Sequence, residues 1–258
     1  MSNIHPTAII DSTAKICDGV TVGPYSVVGA GVTIGRGTWI GPHVVINGPT
    51  TIGEDNRIYQ FASIGEAPQD LKYNGEPTRL VIGDRNTIRE SVTINRGTPG
   101  GGGITSVGND NLFMAYIHIA HDCHVGNNVI FSNNTSLAGH VTVGDFVILS
   151  GFTLVHQFCS VGSYAFTGMG SAISKDVPPY LIVNGNPAAP HGLNKIGLKR
   201  RGFGDEQIRL LLNAYKVLYK KGMTLDEAKA ELLKMSEGSE EIRFFYDFLQ
   251  QSNRSIIR

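Results

Sequence analysis

The chain has 258 residues, 41% of them hydrophobic and 17% charged, with 22 Lys+Arg balancing 22 Asp+Glu. That length and apolar fraction support a large core, in one main domain plus a smaller one, while the neutral balance argues against broad nucleic-acid binding. No run approaches the ~18 apolar residues of a membrane span, and no basic region followed by an apolar stretch opens the chain, so neither a span nor export is expected. Cys17, Cys123 and Cys159 are an odd number without C-x-x-C spacing. They argue against a disulfide framework or a zinc knuckle and for a reducing compartment, with the cytoplasm as the expected location.

From Ile4 onward every sixth residue is aliphatic: Ile10, Ile16, Val22, Val28 and so on to Ile64, often followed by glycine. The register resumes at Ile82, Ile88 and Ile94, then shifts phase and runs from Val107 through Ile119, Leu137 and Val155 to Ile173, with Thr167 the one polar member. Six residues turn an α-helix by ~600°, so a six-residue period would smear its apolar face around the axis. Short strands joined by tight corners fit it, one inward aliphatic residue to each strand and a small residue at the crowded turn, and this pattern predicts a hexapeptide β-helix. Three strands make one triangular coil of about 18 residues, so the 26 in-register positions describe about nine coils stacked at the ~4.8 Å strand spacing. The 32 glycines then mark corners, not disorder.

Two stretches break the period, "GEAPQDLKYNGEPTRL" (65–80) and "RGTPGGGGITS" (96–106). They are predicted to loop out of the solenoid, where binding residues concentrate.

Further along lies "IHIAHDCHVG" (117–126), with His118, His121 and His124 at three-residue intervals. Residues 18 apart stack on successive coils, which divides this regular set. His118 and His121 fall at one corner with His140 and His156 on the coils above, within about 5–10 Å along the axis; His124 belongs to another face. Three uses of the cluster stay open. It could hold a metal, as the zinc histidines of β-helical carbonic anhydrases do. The imidazoles could simply satisfy turn carbonyls. Or one could act as a general base, the use favoured because Asp122 directly follows His121 and a carboxylate there could orient the ring.

From about residue 190 the period becomes helical. Ile208, Leu211, Leu212, Tyr215, Leu218 and Tyr219 follow the spacing of an amphipathic helix. "TLDE" (224–227) reads as a capping box opening a second helix, and "EEIRFFYDFLQ" (240–250) predicts a third. The domains expected are therefore a β-helix over 1–190 with the two projecting loops, and a helical domain over 191–258 covering its open end. Residues 1–190 carry 9 Lys+Arg against 13 Asp+Glu, a net of −4, and residues 191–258 carry 13 against 9, a net of +4. The basic tail could attract an acidic partner, or merely solvate helix faces.

"QFASIGEAPQDLKYNGEPTRL", "IRESVTINRGT", "IHIAHDC", "NNTSLAGHVTVGDF", "VHQFCSVGS" and "GLKRRGF" together resemble the bacterial UDP-N-acetylglucosamine acyltransferases that begin lipid A synthesis. The resemblance runs end to end, and "QDLKY", "AHD" and "HQF" in this order are more specific than the repeat. Hexads that begin at Ile4 favour this family over the paralogous N-acyltransferase, which carries an additional N-terminal uridine-binding domain. The resemblance implies a mainly β fold, a left-handed parallel β-helix with a C-terminal α-helical domain, assembled as a homotrimer with sites in clefts between subunits. It implies a 3-hydroxyacyl donor carried on acyl carrier protein, UDP-GlcNAc as acceptor, and neither cofactor nor metal. Carried over by motif, His121 is the base, Asp122 supports it and the Gly139 N–H stabilises the oxyanion. Gln69, Asp70, Lys72, His118, His140, His156, Gln157, Asn194 and Arg200 bind substrate, and Lys199, Arg200 and Arg201 meet the acidic carrier. Met169, with Phe166, stands where the family sets acyl length; a bulky residue there predicts a medium chain of about ten carbons. Asn95, where many members have histidine, and Ile196, where glutamate is common, leave open an amino analogue of the acceptor sugar. Another hexapeptide acyl- or acetyltransferase is the alternative.

Overall fold

Each hexad becomes one strand of two to four residues followed by a corner. In the computed structural model, which describes residues 1–252 and 254–258, these strands run from Asn3–Ile4 to Ala172–Ile173 and pass cyclically through three parallel sheets. The register steps by 18: Ile4 pairs with Val22 and Val22 with Ile40, and Ile119, Leu137 and Val155 form one column. The repeating aliphatics point inward, and Ile40, Ile46, Ile58 and Ile64 are fully buried. Each such side chain contributes on the order of 1.5–3 kcal/mol by burial. Phe113 and Phe131 enlarge the core midway, their rings 5.2 Å apart.

The coils wind left-handed, against the right-handed preference of ordinary crossovers. Their corners place residues in the left-handed backbone region. Asp122 (φ 59°), His140 (φ 62°) and Phe158 (φ 65°) occupy it one above another, at a local cost of about 1–2 kcal/mol each for a side-chain-bearing residue. Ladder bonds between coils offset this. At one inner corner the Asn56 side chain accepts from Asn86 N at 2.9 Å, Asn86 from Asn111 N at 3.0 Å, and Asn111 from Val129 N at 2.7 Å.

The two predicted interruptions are insertions that leave the ladder intact. Ile58 pairs with Ile88, 30 positions on, and Ile88 with Phe113, 25 on. They are shorter than the sequence suggests, because the strands Ser63–Glu66, Arg79–Ile82 and Ile104–Val107 claim their ends. What projects is 67–78 and 96–103, the second with a 3-10 turn at Pro99–Gly101.

The boundary expected at residue 190 falls inside an antiparallel hairpin, Leu181–Asn184 with Ala189–Leu193, which extends the first sheet. Four helices follow: α1 Lys195–Arg200, α2 Asp205–Tyr219, α3 Leu225–Met235 and α4 Glu240–Gln251. α1 was not legible because six residues show too little periodicity. The Thr224–Glu227 capping box opens α3 as the sequence indicates. Among the described residues no helix is long and apolar enough to cross a membrane. After α4 the chain returns to the solenoid, where Ile256 bridges Asp176 and the Tyr219 hydroxyl donates to the Ile257 carbonyl.

Candidate active site

The corner at 120–122 holds a dense polar cluster. His121 Nδ1 lies 2.8 Å from Asp122 Oδ2; a carboxylate only accepts, so Nδ1 carries the proton and Nε2 presents its lone pair. Asp122 is 2% exposed and is held on both oxygens. Thr98 N donates to Oδ1 at 2.7 Å and the Thr98 hydroxyl to Oδ2 at 2.6 Å, while Asp122 N donates to the Thr105 hydroxyl at 2.8 Å. Three donors on the buried carboxylate, Thr98 N, the Thr98 hydroxyl and His121 Nδ1, fix its plane. A Cβ at Gly101 would lie 2.0 Å from the Asp122 carboxyl carbon, so the second loop passes its backbone directly across the acid.

One coil up, Gly139 sits over His121. A Cβ there would stand 2.6 Å from His121 Cε1 and 2.9 Å from Nε2, so glycine alone leaves the ring in place. Among the described residues the Gly139 N–H meets no protein acceptor, although the neighbouring N–H groups of Ala138 and His140 are bonded. His140 packs edge-on to His121, 5.2 Å between centroids, and face-on to Phe158 at 4.4 Å. Its Nε2 is 3.7 Å from Asp122 Oδ2. Burial holds the His140 imidazole below its ordinary range, the Asp122 charge opposing this in part. His118, hydrogen-bonded through Nδ1 to the Thr93 hydroxyl at 2.7 Å, is lowered by burial and then by His121. Burial pushes the neighbouring Cys123 thiol up to about 12, which removes it as a nucleophile near neutral pH.

The chain order Ala138, Gly139, His140 crosses a ridge between two cavities, as does His156, Gln157, Phe158 above it. On one side an apolar groove of about 460 Å³ is lined by Leu137, Ala138, Leu154, Val155, Ala172 and Ile173, with His118 and His156 at its polar points. On the other, a polar cavity of about 340 Å³ lies between Asp70, Lys72 and Tyr73 of the first loop, Thr98 and Pro99 of the second, and His140 with Phe158. The four histidines therefore do not share one cavity: His118 and His156 face the groove and His140 the other side. His124, hydrogen-bonded to Ser106 at 2.7 Å, is exposed on the third sheet, as its register requires.

His121, Asp122 and His140 offer ligand atoms within 4.8 Å of one another. The Asp122 oxygens already accept from Thr98 and His121, so the donor set fits a hydrogen-bonded pair better than a cation.

The remaining predicted residues stand in several places. Gln69 is exposed on the first loop and Gln157 on the ridge. The Gln157 carbonyl and the His156 ring receive the Arg254 guanidinium from the C-terminal tail. Asn194 is spent as the N-cap of α1, its side chain accepting from Gly197 N and donating to the Tyr164 carbonyl. Arg200 is exposed at the end of α1, Lys199 pairs with Asp205 at 2.9 Å, and Arg201 lies over the Phe146 ring. Phe166 pairs on the first sheet and Met169 is exposed at the corner that leads to the groove-lining strand Ala172–Ile173; neither lines the groove or the polar cavity. Asn95 is buried, donating to the Ala67 carbonyl at 2.8 Å. Ile196 is exposed on α1.

Sequence reasoning missed Thr98, Gly101 and Arg254. Thr98 meets Asp122 across 24 residues, a distance no local period reveals; the only signal was that an insertion precedes the histidine coil.

The chain is similar to known proteins over its whole length. The hexapeptide-transferase repeat model matches residues 1–36, 31–66 and 104–139, and the model described as UDP-N-acetylglucosamine O-acyltransferase, domain 2, matches 176–257. Curated proteins named acyl-[acyl-carrier-protein]–UDP-N-acetylglucosamine O-acyltransferase from Neisseria gonorrhoeae and Halorhodospira halophila are 58% and 54% identical to it, each over the whole of both chains. The solved UDP-N-acetylglucosamine O-acyltransferase of Moraxella catarrhalis superposes with a TM-score of 0.97 at 48% identity, covering 99% of each chain.

Proposed function

The chain belongs to the acyl-[acyl-carrier-protein]–UDP-N-acetylglucosamine O-acyltransferase family, and we propose that it moves a 3-hydroxyacyl chain from acyl carrier protein to the 3-hydroxyl of UDP-GlcNAc, opening lipid A synthesis. The observation that carries the mechanism is the disposition of His121. Its Nδ1 is tied to Asp122 at 2.8 Å, and its Nε2 lies against Gly139, whose N–H meets no protein acceptor among the described residues.

His121 Nε2 takes the proton of the sugar hydroxyl as that oxygen attacks the thioester carbonyl. The charge that develops on the carbonyl oxygen meets the Gly139 N–H. The C–S bond then breaks, and the carrier thiolate leaves with the proton that His121 had accepted, so the imidazole returns to its starting form. Asp122 stabilises the transient imidazolium without taking its proton. The apolar groove suits the acyl chain, with His118 and His156 as its polar contacts. The polar cavity suits the sugar nucleotide, with Gln69, Asp70 and Lys72 on its loop and His140 on its wall.

The assembly proposed is a homotrimer, in which Gln157 with Asn194 and Arg200 of a neighbouring subunit would complete the nucleotide pocket. Lys199, Arg200 and Arg201 would receive the acidic carrier. Met169, with Phe166, would close the groove across the subunit boundary and favour an acyl chain of about ten carbons.

The test is a transfer assay with UDP-GlcNAc and 3-hydroxyacyl carriers of about ten to fourteen carbons. His121→Ala should lower kcat by ~10²–10⁴, and transfer at the wild-type rate would overturn the base. Met169→Gly should move the preferred donor toward about fourteen carbons; unaltered selectivity would sink the chain-length reading.

A further inference from the structure

The strand Thr93–Asn95 lies one coil below His118–Ile119 in the second sheet, and the chain leaves it through Asn95, Arg96, Gly97 and Thr98. Two grips are built into these four residues. At the first, the Asn95 side chain, 3% exposed, donates to the carbonyls of Ala67 and Glu66, and its own Oδ1 is buried without a protein partner among the described residues. Arg96 adds a backbone bond to the Glu66 carbonyl at 3.0 Å, a guanidinium bond to the Gly65 carbonyl at 2.7 Å, and a contact to the Tyr73 hydroxyl, which itself donates to the Glu76 carbonyl. The start and the middle of the 67–78 loop, which carries Asp70 and Lys72, are thus fastened to residues 95 and 96. At the second grip, Thr98, 6% exposed, donates through its backbone and its hydroxyl to the two oxygens of Asp122. Between the grips a Cβ at Gly97 would stand 2.2 Å from Ile104 N, so the segment is wedged and has little room to slide.

We infer that Asn95–Thr98 is a brace that sets the two halves of the reaction separately: Thr98 is a positioning residue for Asp122, and Asn95 is a positioning residue for the acceptor loop. The inference rests on the reading of His121 as the base. A carboxylate fixed on both oxygens has one rotational setting, and in that setting Oδ2 meets His121 Nδ1. Removing the Thr98 hydroxyl frees that oxygen to turn while the backbone bond to Oδ1 remains. Removing the Asn95 amide frees the start of the loop and leaves Asp122 untouched.

The experiment is steady-state transfer with varied UDP-GlcNAc and saturating hydroxyacyl carrier protein, on Thr98→Val, Thr98→Ser, Asn95→Ala and His121→Ala, each checked for folding by its Tm. Thr98→Val is expected to lower kcat between about 10- and 100-fold with the acceptor KM within about twofold. Thr98→Ser, which keeps the hydroxyl, should restore most of the rate. Asn95→Ala should raise the acceptor KM about fivefold or more with kcat little changed. The brace is overturned if Thr98→Val keeps wild-type kcat, if Thr98→Ser is as slow as Thr98→Val, or if both Thr98→Val and Asn95→Ala move the same constant. Those results beside an inactive His121→Ala remove only the brace; an active His121→Ala removes the base on which it rests.

Discussion

Two corners of the solenoid carry the same kind of column and put it to different ends. At one, Tyr25, His43 and Phe61 stack at 18-residue steps, with ring centroids 5.2 Å and 5.6 Å apart. At another, Asp122, His140 and Phe158 occupy the same backbone conformation at the same steps, with His140 against Phe158. Both columns hold a histidine on a phenylalanine. In the first all three side chains are exposed. In the second a carboxylate replaces the lowest aromatic ring, a histidine precedes it, and two inserted loops close over them. A histidine on a rigid coil is therefore not a site in itself. The site comes from the acid beneath it and from the loops that shield the pair from water, where charge–charge and hydrogen-bond energies grow.

The sharpest way to break this contrast is Asp122→Asn. Both oxygens accept from Thr98, and one also accepts from His121; an amide can satisfy only part of that set, since its nitrogen must donate. The column can still stack, so Tm should stay within a few degrees. A loss of ~10²–10⁴ in kcat is expected from steady-state assays, and near-wild-type turnover would reduce Asp122 to one more corner residue. Next in size is Gly139→Ala. The backbone there is not in the left-handed region, so alanine strains nothing but the His121 ring it would press. A fall of about 10- to 100-fold in kcat at unchanged Tm is expected; full activity would show that the ring has room to spare.

The solenoid was legible because its constraint is repeated: each inward aliphatic obeys the same 18-residue ladder, so the register of Ile119, Leu137 and Val155 could be counted without coordinates. That count grouped His121 with His118, His140 and His156, the adjacent Asp122 favoured a general base, and the part given to Gly139 came from resemblance alone. Thr98 and Gly101 escaped because an inserted loop has no register, and its path over Asp122 depends on packing across 24 residues. The hairpin ending at Leu193 escaped for a related reason: its Pro190-His191-Gly192 run carries no strand period, and pairing with Leu181–Asn184 imposes the conformation. Asn194 shows a role of another kind: the motif assigns it to the nucleotide pocket, and its cap on α1 has no signal in the sequence.

The smallest expected effect follows from His118 and His140, both held below the ordinary histidine value of 6.5, chiefly by burial. A depressed folded value means that the folded state resists a proton that the unfolded chain accepts. Stability from these two groups is therefore fully present above about pH 6.5 and is lost as pH falls through their folded values. Melting curves between about pH 7.5 and 5 should show Tm sloping down on the acid side, by on the order of a few degrees. His140→Asn should flatten the slope only slightly, because that ring is partly open to water, and His118→Asn, at the more enclosed site, should flatten it more. An unaltered slope in both variants would assign the acid sensitivity elsewhere and leave the two imidazoles as packing groups. A slope that flattens only with His118→Asn would tie the effect to the groove side of the ridge, and the exposed column at His43 would then be the closer analogue of His140.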